Sequence, residues 1–149
     1  MNENLSYDRT GLNLTESSEG LSLKAYPDPG TGGAPWTIGW GHTGSDVYEG
    51  LAITRERAEA LLIDDIKSAE HDVHSFVKVA LNQHQYDALV DFSFNVGGMN
   101  FRGSTLLRLL NAGDFAGADA EFKKWNKGGG KVLSGLVTRR NNEATFFAS

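Results

Sequence analysis

The chain has 149 residues and a mass of 16.2 kDa; it is 40% hydrophobic, 22% charged and free of cysteine, a composition that describes one globular domain able to bury a sizeable core. Without cysteine there is no disulfide framework, thiolate nucleophile or cysteine-ligated zinc, and no apolar run approaches the ~18 residues that span a bilayer. The net charge of −5 argues against a nucleic-acid partner, and the polar start from Met1 to Thr10 lacks a secretory pattern, so the expectation is a chain made in the cytoplasm without stable membrane insertion.

The first predicted element is a short helix from about Leu12 to Glu19, with Thr15 as its N-cap and Gly20 as its terminator. The helical period then disappears. Leu23 to Tyr26 and Trp36 to Trp40 are rich in aromatic and β-branched residues, and Asp28-Pro-Gly-Thr-Gly-Gly33 between them is turn chemistry, so a small antiparallel sheet is expected. Thr54 stands where an N-cap belongs. After it Ala58, Leu62, Ile66, Ala69, Val73 and Val77 form the buried stripe of a long helix, while Glu59, Asp64, Lys67 and Glu70 lie on the opposite, solvent side. The next helix, Gln83 to Val96, is apolar nearly all round, which places it at the centre of a domain. Ser104 caps a helix over Thr105 to Asn111, Gly113 or Asp114 ends it, and Phe115 to Trp125 forms another. Gly128 to Gly130 reads as a loop and Gly135 to Phe147 as the last helix. The predicted class is α+β, with a small β-containing lobe over about 12–54, a connecting helix over 55–77, a helical lobe over 78–149, and residues 1–11 unassigned.

Charge is unevenly distributed. Residues 1–75 carry 13 acidic and 5 basic side chains (net −8), whereas residues 76–149 carry 6 acidic and 9 basic (net +3). Lys123, Lys124, Lys127, Lys131, Arg139 and Arg140 supply most of that positive end, either as solvated helix faces or as an attractor of polyanions.

Among candidate catalytic groups, Glu19 and Asp28 flank the helix-to-strand transition. Glycoside hydrolysis needs such a carboxyl pair, one member protonated as general acid and one ionised, at a fixed separation. His71 and His74 share a helical face, but there is no cysteine and Glu70 precedes His71 rather than lying between the two histidines as in a metalloprotease, so solvated or capping histidines are the better reading. Gly128-Gly-Gly-Lys131 lacks the hydroxyl residue that a phosphate loop places after its lysine. His42 lacks the context of a base serving a hydroxyl nucleophile, and a structural role suits it better.

The neighbours of the carboxyl pair make it specific. Glu19-Gly-Leu-Ser-Leu-Lys-Ala-Tyr-Pro-Asp28, then Trp36-Thr-Ile-Gly-Trp-Gly-His-Thr43, Phe92-Ser-Phe-Asn-Val-Gly97 and Gly135-Leu136 with Arg139-Arg140 and Glu143 occur in an order that closely resembles the phage-type lysozymes, the endolysins of glycoside hydrolase family 24. The similarity runs over about 12–147, and Asp28 stands where the family carries Asp or Cys. The interval of eight residues between Asp28 and Thr37 is longer than the family's usual one, so Thr37 is matched through the Ile-Gly-x-Gly-His that follows it.

The resemblance implies a lysozyme-like fold and a muramidase that cleaves the β-1,4 bond between N-acetylmuramic acid and N-acetylglucosamine in bacterial peptidoglycan, without metal or cofactor. It implies Glu19 as general acid, Asp28 as the carboxylate that orients water, and Thr37 as a holder of that water. Phe94, Arg139 and Arg140 follow as substrate-binding residues, one arginine reaching Glu19. As a phage endolysin the protein would be a monomer that waits in the host cytoplasm until release and reaches the wall or periplasm through a holin-like pore. A lytic transglycosylase is the rival enzyme, and a peptidoglycan-binding or tail-associated module the rival without catalysis.

Overall fold

Capping chemistry sets most of the helix starts in the computed structural model, which describes residues 1–149. Asp8 opens α1 (Arg9–Glu19) by accepting a hydrogen bond from the Gly11 amide at 3.0 Å through its side chain, and Gly20 ends it at φ +70°. The predicted cap, Thr15, instead lies inside α1 and is fully buried, because the helix begins a full turn earlier than the apolar pattern suggests. The Thr54 hydroxyl accepts from the Arg57 amide at 3.1 Å and starts α2 (Arg55–Phe76). Asn82 and Gln85 form a reciprocal capping box at the head of α3 (Gln83–Val96).

Gly97, at φ +94°, separates α3 from a short helix that the sequence reading did not anticipate, α4 (Gly98–Arg102). Ser104 caps α5 (Thr105–Asn111), and Asp114 caps α6 (Phe115–Glu121) by accepting from the Gly117 amide at 2.8 Å. The predicted helix over Phe115 to Trp125 is thus shorter, its end being a single 3₁₀ turn over Phe122–Lys124. The predicted glycine loop is the tip of a hairpin of β4 (Lys127–Gly128) and β5 (Lys131–Val132), where Gly129 and Gly130 both take positive φ. Helix α7 (Ser134–Ala148) completes the chain.

Two units are distinguishable. One comprises Thr15–Lys67, the other Met1–Leu14 together with Ser68–Ser149. The first contains an antiparallel sheet in the order β1 (Ser22–Tyr26), β2 (Thr37–Gly39), β3 (His42–Thr43), with Tyr26 opposite Thr37 and Ile38 opposite His42. Strand β1 is also held on its other side, since Ala25 donates to the Leu51 carbonyl and Ile53 to that of Leu23, each at 2.9 Å. Ile38, Val47 and Leu61 form the core of this unit, covered by Ala25, Trp36, Leu51 and Ile53.

In the second unit α3 is central, as its all-round apolar character requires. Phe92 is fully buried and meets Phe101, Phe122 and Trp125 edge-on. The N-terminal arm is fixed here through Asn2, which donates to the Val79 carbonyl and accepts from the Leu81 amide, both at 2.9 Å. All six residues of the predicted stripe, five along α2 and Val77 just past its end, are at most 5% exposed. Asp64 and Lys67 face solvent as expected, but Glu70 accepts from the Tyr7 amide at 2.7 Å and the Tyr86 hydroxyl at 2.8 Å.

Candidate active site

Glu19, Asp28 and Thr37 all belong to the Thr15–Lys67 unit, and all three are half-buried. Glu19 is the last residue of α1, so its backbone is fixed by a helix on one side and by the left-handed Gly20 on the other. Its carboxylate rests against the β2–β3 connection. A methyl group built on Gly41 would lie 2.9 Å from Oε2 of Glu19, inside any ordinary contact, and Gly41 itself has φ +84°. Both facts require glycine at that position.

Asp28 and Thr37 stand at the two ends of the long turn. The Asp28 amide donates to the Gly33 carbonyl at 2.9 Å, while its own carbonyl accepts from Thr31 at 3.2 Å and Gly32 at 2.8 Å. The Thr31 hydroxyl donates to the Ala34 carbonyl at 2.7 Å. These bonds make the longer interval a closed turn, and the Tyr26–Thr37 register returns Thr37 to the sheet beside the strand that leads to Asp28. Length is absorbed in the turn rather than in the strands.

His42, opposite Ile38, is clamped between carboxylates: Nδ1 lies 2.8 Å from Asp65 and Nε2 3.0 Å from Asp46. Burial alone would push its pKa down, but the two acids outweigh that and hold it above the usual histidine value. Neither ring nitrogen is left to serve as a base. The indole of Trp40 is also committed, being 4% exposed with the Arg55 guanidinium 5.2 Å over its ring. Trp36 packs on the Ile38 core and Trp125 on Phe92. Of the paired histidines, His74 turns Nε2 to the Leu5 carbonyl at 3.2 Å and the Tyr86 hydroxyl at 3.1 Å.

Phe94, Arg139 and Arg140 belong to the other unit. Phe94 is half-buried on α3. The arginines are neither surface decoration nor part of a basic patch, for they are only 4% and 1% exposed. Arg139 makes a fork to Asp91, Nε to Oδ2 at 3.0 Å and Nη2 to Oδ1 at 2.8 Å. Arg140 lies over the Phe92 ring and pairs with Glu143 at 2.6 Å through Nε, and its Nη2 donates to Asn95 at 2.8 Å. Burial holds the Glu143 carboxyl well above the ordinary range; Asp91 reinforces that shift and the two arginines oppose it. The sequence reading singled out the arginines and Glu143 and quoted Asn95 only within a motif, without a role; it missed Asp91, whose only signal was a polar residue at a core position of α3.

A phage lysozyme family model matches residues 16–143. The chain is 48% identical over 143 residues to the endolysin of Bacillus phage B103, covering 96% of this chain and 54% of that protein; it thus spans about half the length of the first curated relatives it matches. To the endolysin of Salmonella phage P22 it is 42% identical over 143 residues, covering 93% and 95% of the two chains. Among solved structures, the muramidase domain of SpmX from Asticaccaulis excentricus superposes with a TM-score of 0.89 at 35% identity, covering 98% and 99% of the two chains.

Proposed function

The chain belongs to the phage lysozyme family, and on that premise we propose that it is a muramidase hydrolysing the β-1,4 bond between N-acetylmuramic acid and N-acetylglucosamine in bacterial peptidoglycan. The carrying observation is the seat of Glu19: a half-buried carboxyl at the end of a helix, pressed against a glycine that leaves room for nothing else. A carboxyl group held in one place in this way suits a general acid, which must deliver a proton to the glycosidic oxygen from a fixed position. Asp28, anchored by its hydrogen-bonded turn, orients the attacking water and stabilises positive charge on the sugar. Thr37 holds that water from the paired end of the same turn.

Phe94 contributes to the substrate-facing surface. Arg139 and Arg140, fixed by Asp91 and Glu143, act as positioning residues rather than as exposed sugar contacts. The reaction so read uses no metal or cofactor. No helix of the chain is long and apolar enough to cross a membrane, and the same proposal has a monomer reach the wall from the host cytoplasm through a holin-like pore.

The test is Glu19→Gln, which is expected to lower lysis of purified walls by about 10²–10⁴-fold with the melting temperature retained. Asp28→Asn is expected to lose activity as well. Full lysis by Glu19→Gln sinks the assignment.

A further inference from the structure

Folding sharpens the charge asymmetry of the second half. Of the six carboxylates in residues 76–149, Asp87, Asp91, Glu121 and Glu143 are buried and Asp119 is half-buried, which leaves only Asp114 exposed. Of the nine cations only Arg139 and Arg140 are buried. Seven remain exposed: Lys78, Arg102, Arg108, Lys123, Lys124, Lys127 and Lys131. The outer surface contributed by this segment is therefore far more basic than its composition indicates.

Two of these cations, Arg102 and Arg108, line one recess. A cavity of about 330 Å³ is lined by Arg102, Gly103, Ser104, Thr105, Arg108 and Asn111, among others. Asn111 ties its wall together, accepting from the Lys78 amide at 2.7 Å and donating to the Phe76 carbonyl at 2.9 Å. The Arg102 guanidinium lies 5.6 Å over the Phe76 ring, which fixes its plane while leaving its edge open. Arg108 stands one turn before Asn111 on the same helical face. Lys78 joins that wall through its backbone while its ammonium donates to the Ser75 carbonyl at 2.7 Å, and neither guanidinium has a carboxylate partner.

We propose that Arg102 and Arg108 form a binding site for the phosphoryl group of a phosphodiester polymer. One guanidinium fork saturates a carboxylate, whereas a phosphoryl group has additional oxygens and spreads its charge tetrahedrally, which matches two forks on one recess. A recess accepts one ester linkage of a chain, whereas the headgroup plane of a bilayer favours cations that project from a flat or convex face. The site is independent of the muramidase reading and stands or falls separately from it.

The experiment is an amide and guanidinium NMR titration of the full chain at low ionic strength with inorganic phosphate, acetate and a glycerol phosphate oligomer. Saturable shifts are expected at Arg102, Gly103, Thr105 and Arg108, with phosphate tighter than acetate and the oligomer at least as tight as phosphate. Arg102→Gln combined with Arg108→Gln is expected to weaken binding at least about tenfold. Lys123→Gln combined with Lys124→Gln, which removes the same charge elsewhere, is expected to leave it unchanged. All four positions are exposed, so folding of both variants is verifiable by circular dichroism. Equal loss in the two double variants, equal affinity for acetate, or binding to phosphatidylglycerol vesicles without binding to the oligomer overturns the proposal.

Discussion

Gly41→Ala separates the geometry of Glu19 from the stability of the fold. The new side chain faces two penalties. At φ +84° a β-carbon costs roughly 1–2 kcal/mol of backbone strain, and it would lie 2.9 Å from Oε2 of Glu19, where ordinary contact begins at 3.4 Å. The carboxylate must therefore retreat by about half an ångström. Because Glu19 is a flexible side chain, that retreat adds little to the stability loss, which in a domain of this size amounts to about 2–8 °C in melting temperature. For catalysis the retreat matters far more, since a misplacement of about 1 Å costs on the order of 10²-fold; turbidity clearance of purified walls is expected to fall by about 10- to 100-fold. Gly50→Ala is the control, for Gly50 has φ +90° but nothing within 4 Å of the added carbon. It is expected to show the same thermal loss with wall lysis unchanged. If Gly41→Ala retains lysis within about twofold while melting lower, the seat of Glu19 is not what holds it for chemistry.

Three further expectations concern the charged interior. Arg139→Met strands Asp91 in the core, and thermal melts are expected to show a loss of about 3–5 kcal/mol, partly recovered when Asp91→Leu is added; a melt unchanged by the single substitution refutes a structural role for the pair. His42 has its pKa raised in the fold, against the pull of burial, by Asp65 and Asp46. Its protonated form therefore adds stability fully below the unfolded value and loses it as pH rises through the folded one, so the stability deficit of His42→Gln is expected to be largest at acid pH and to shrink above neutrality. Asp87 runs the same way, but because its charged form is penalised rather than its protonated form being paired. Burial, and then its hydrogen bond with Asp8, push its carboxyl up to about 8, so the folded chain binds the extra proton and stability falls as pH rises from about 4 to 8. Asp87→Asn is expected to gain on the wild type across that window in pH-dependent denaturant melts, and a parallel pair of curves contradicts the assignment.

Local rules made much of the fold legible. Thr54, Ser104 and the α2 stripe act through residues three or four apart, and each stands where the sequence places it. Thr15 misled because a threonine tolerated inside a helix carries the same label as one that caps it; the earlier start rests on the Asp8 cap and on the packing of Gly11 against the Tyr7 ring. The arginines misled in charge rather than in importance. Counted along the chain they extend a basic cluster, yet their partners Asp91 and Asn95 lie more than forty residues away, beyond the reach of any spacing rule. The same non-local pairing hid the basic surface around Arg102 and Arg108, which emerges only after folding buries most of the carboxylates. Glu19, Asp28 and Thr37 were legible as a pattern, whereas Gly41, which shapes the seat of Glu19, passed as one glycine of a motif.

The most direct test of the muramidase proposal is the mass of the products released from purified peptidoglycan. The account predicts muropeptides ending in a reducing N-acetylmuramic acid that has taken up one water, and their disappearance with Glu19→Gln. Anhydro sugars lighter by that water, or wall binding with no sugar released by the wild type, would contradict it.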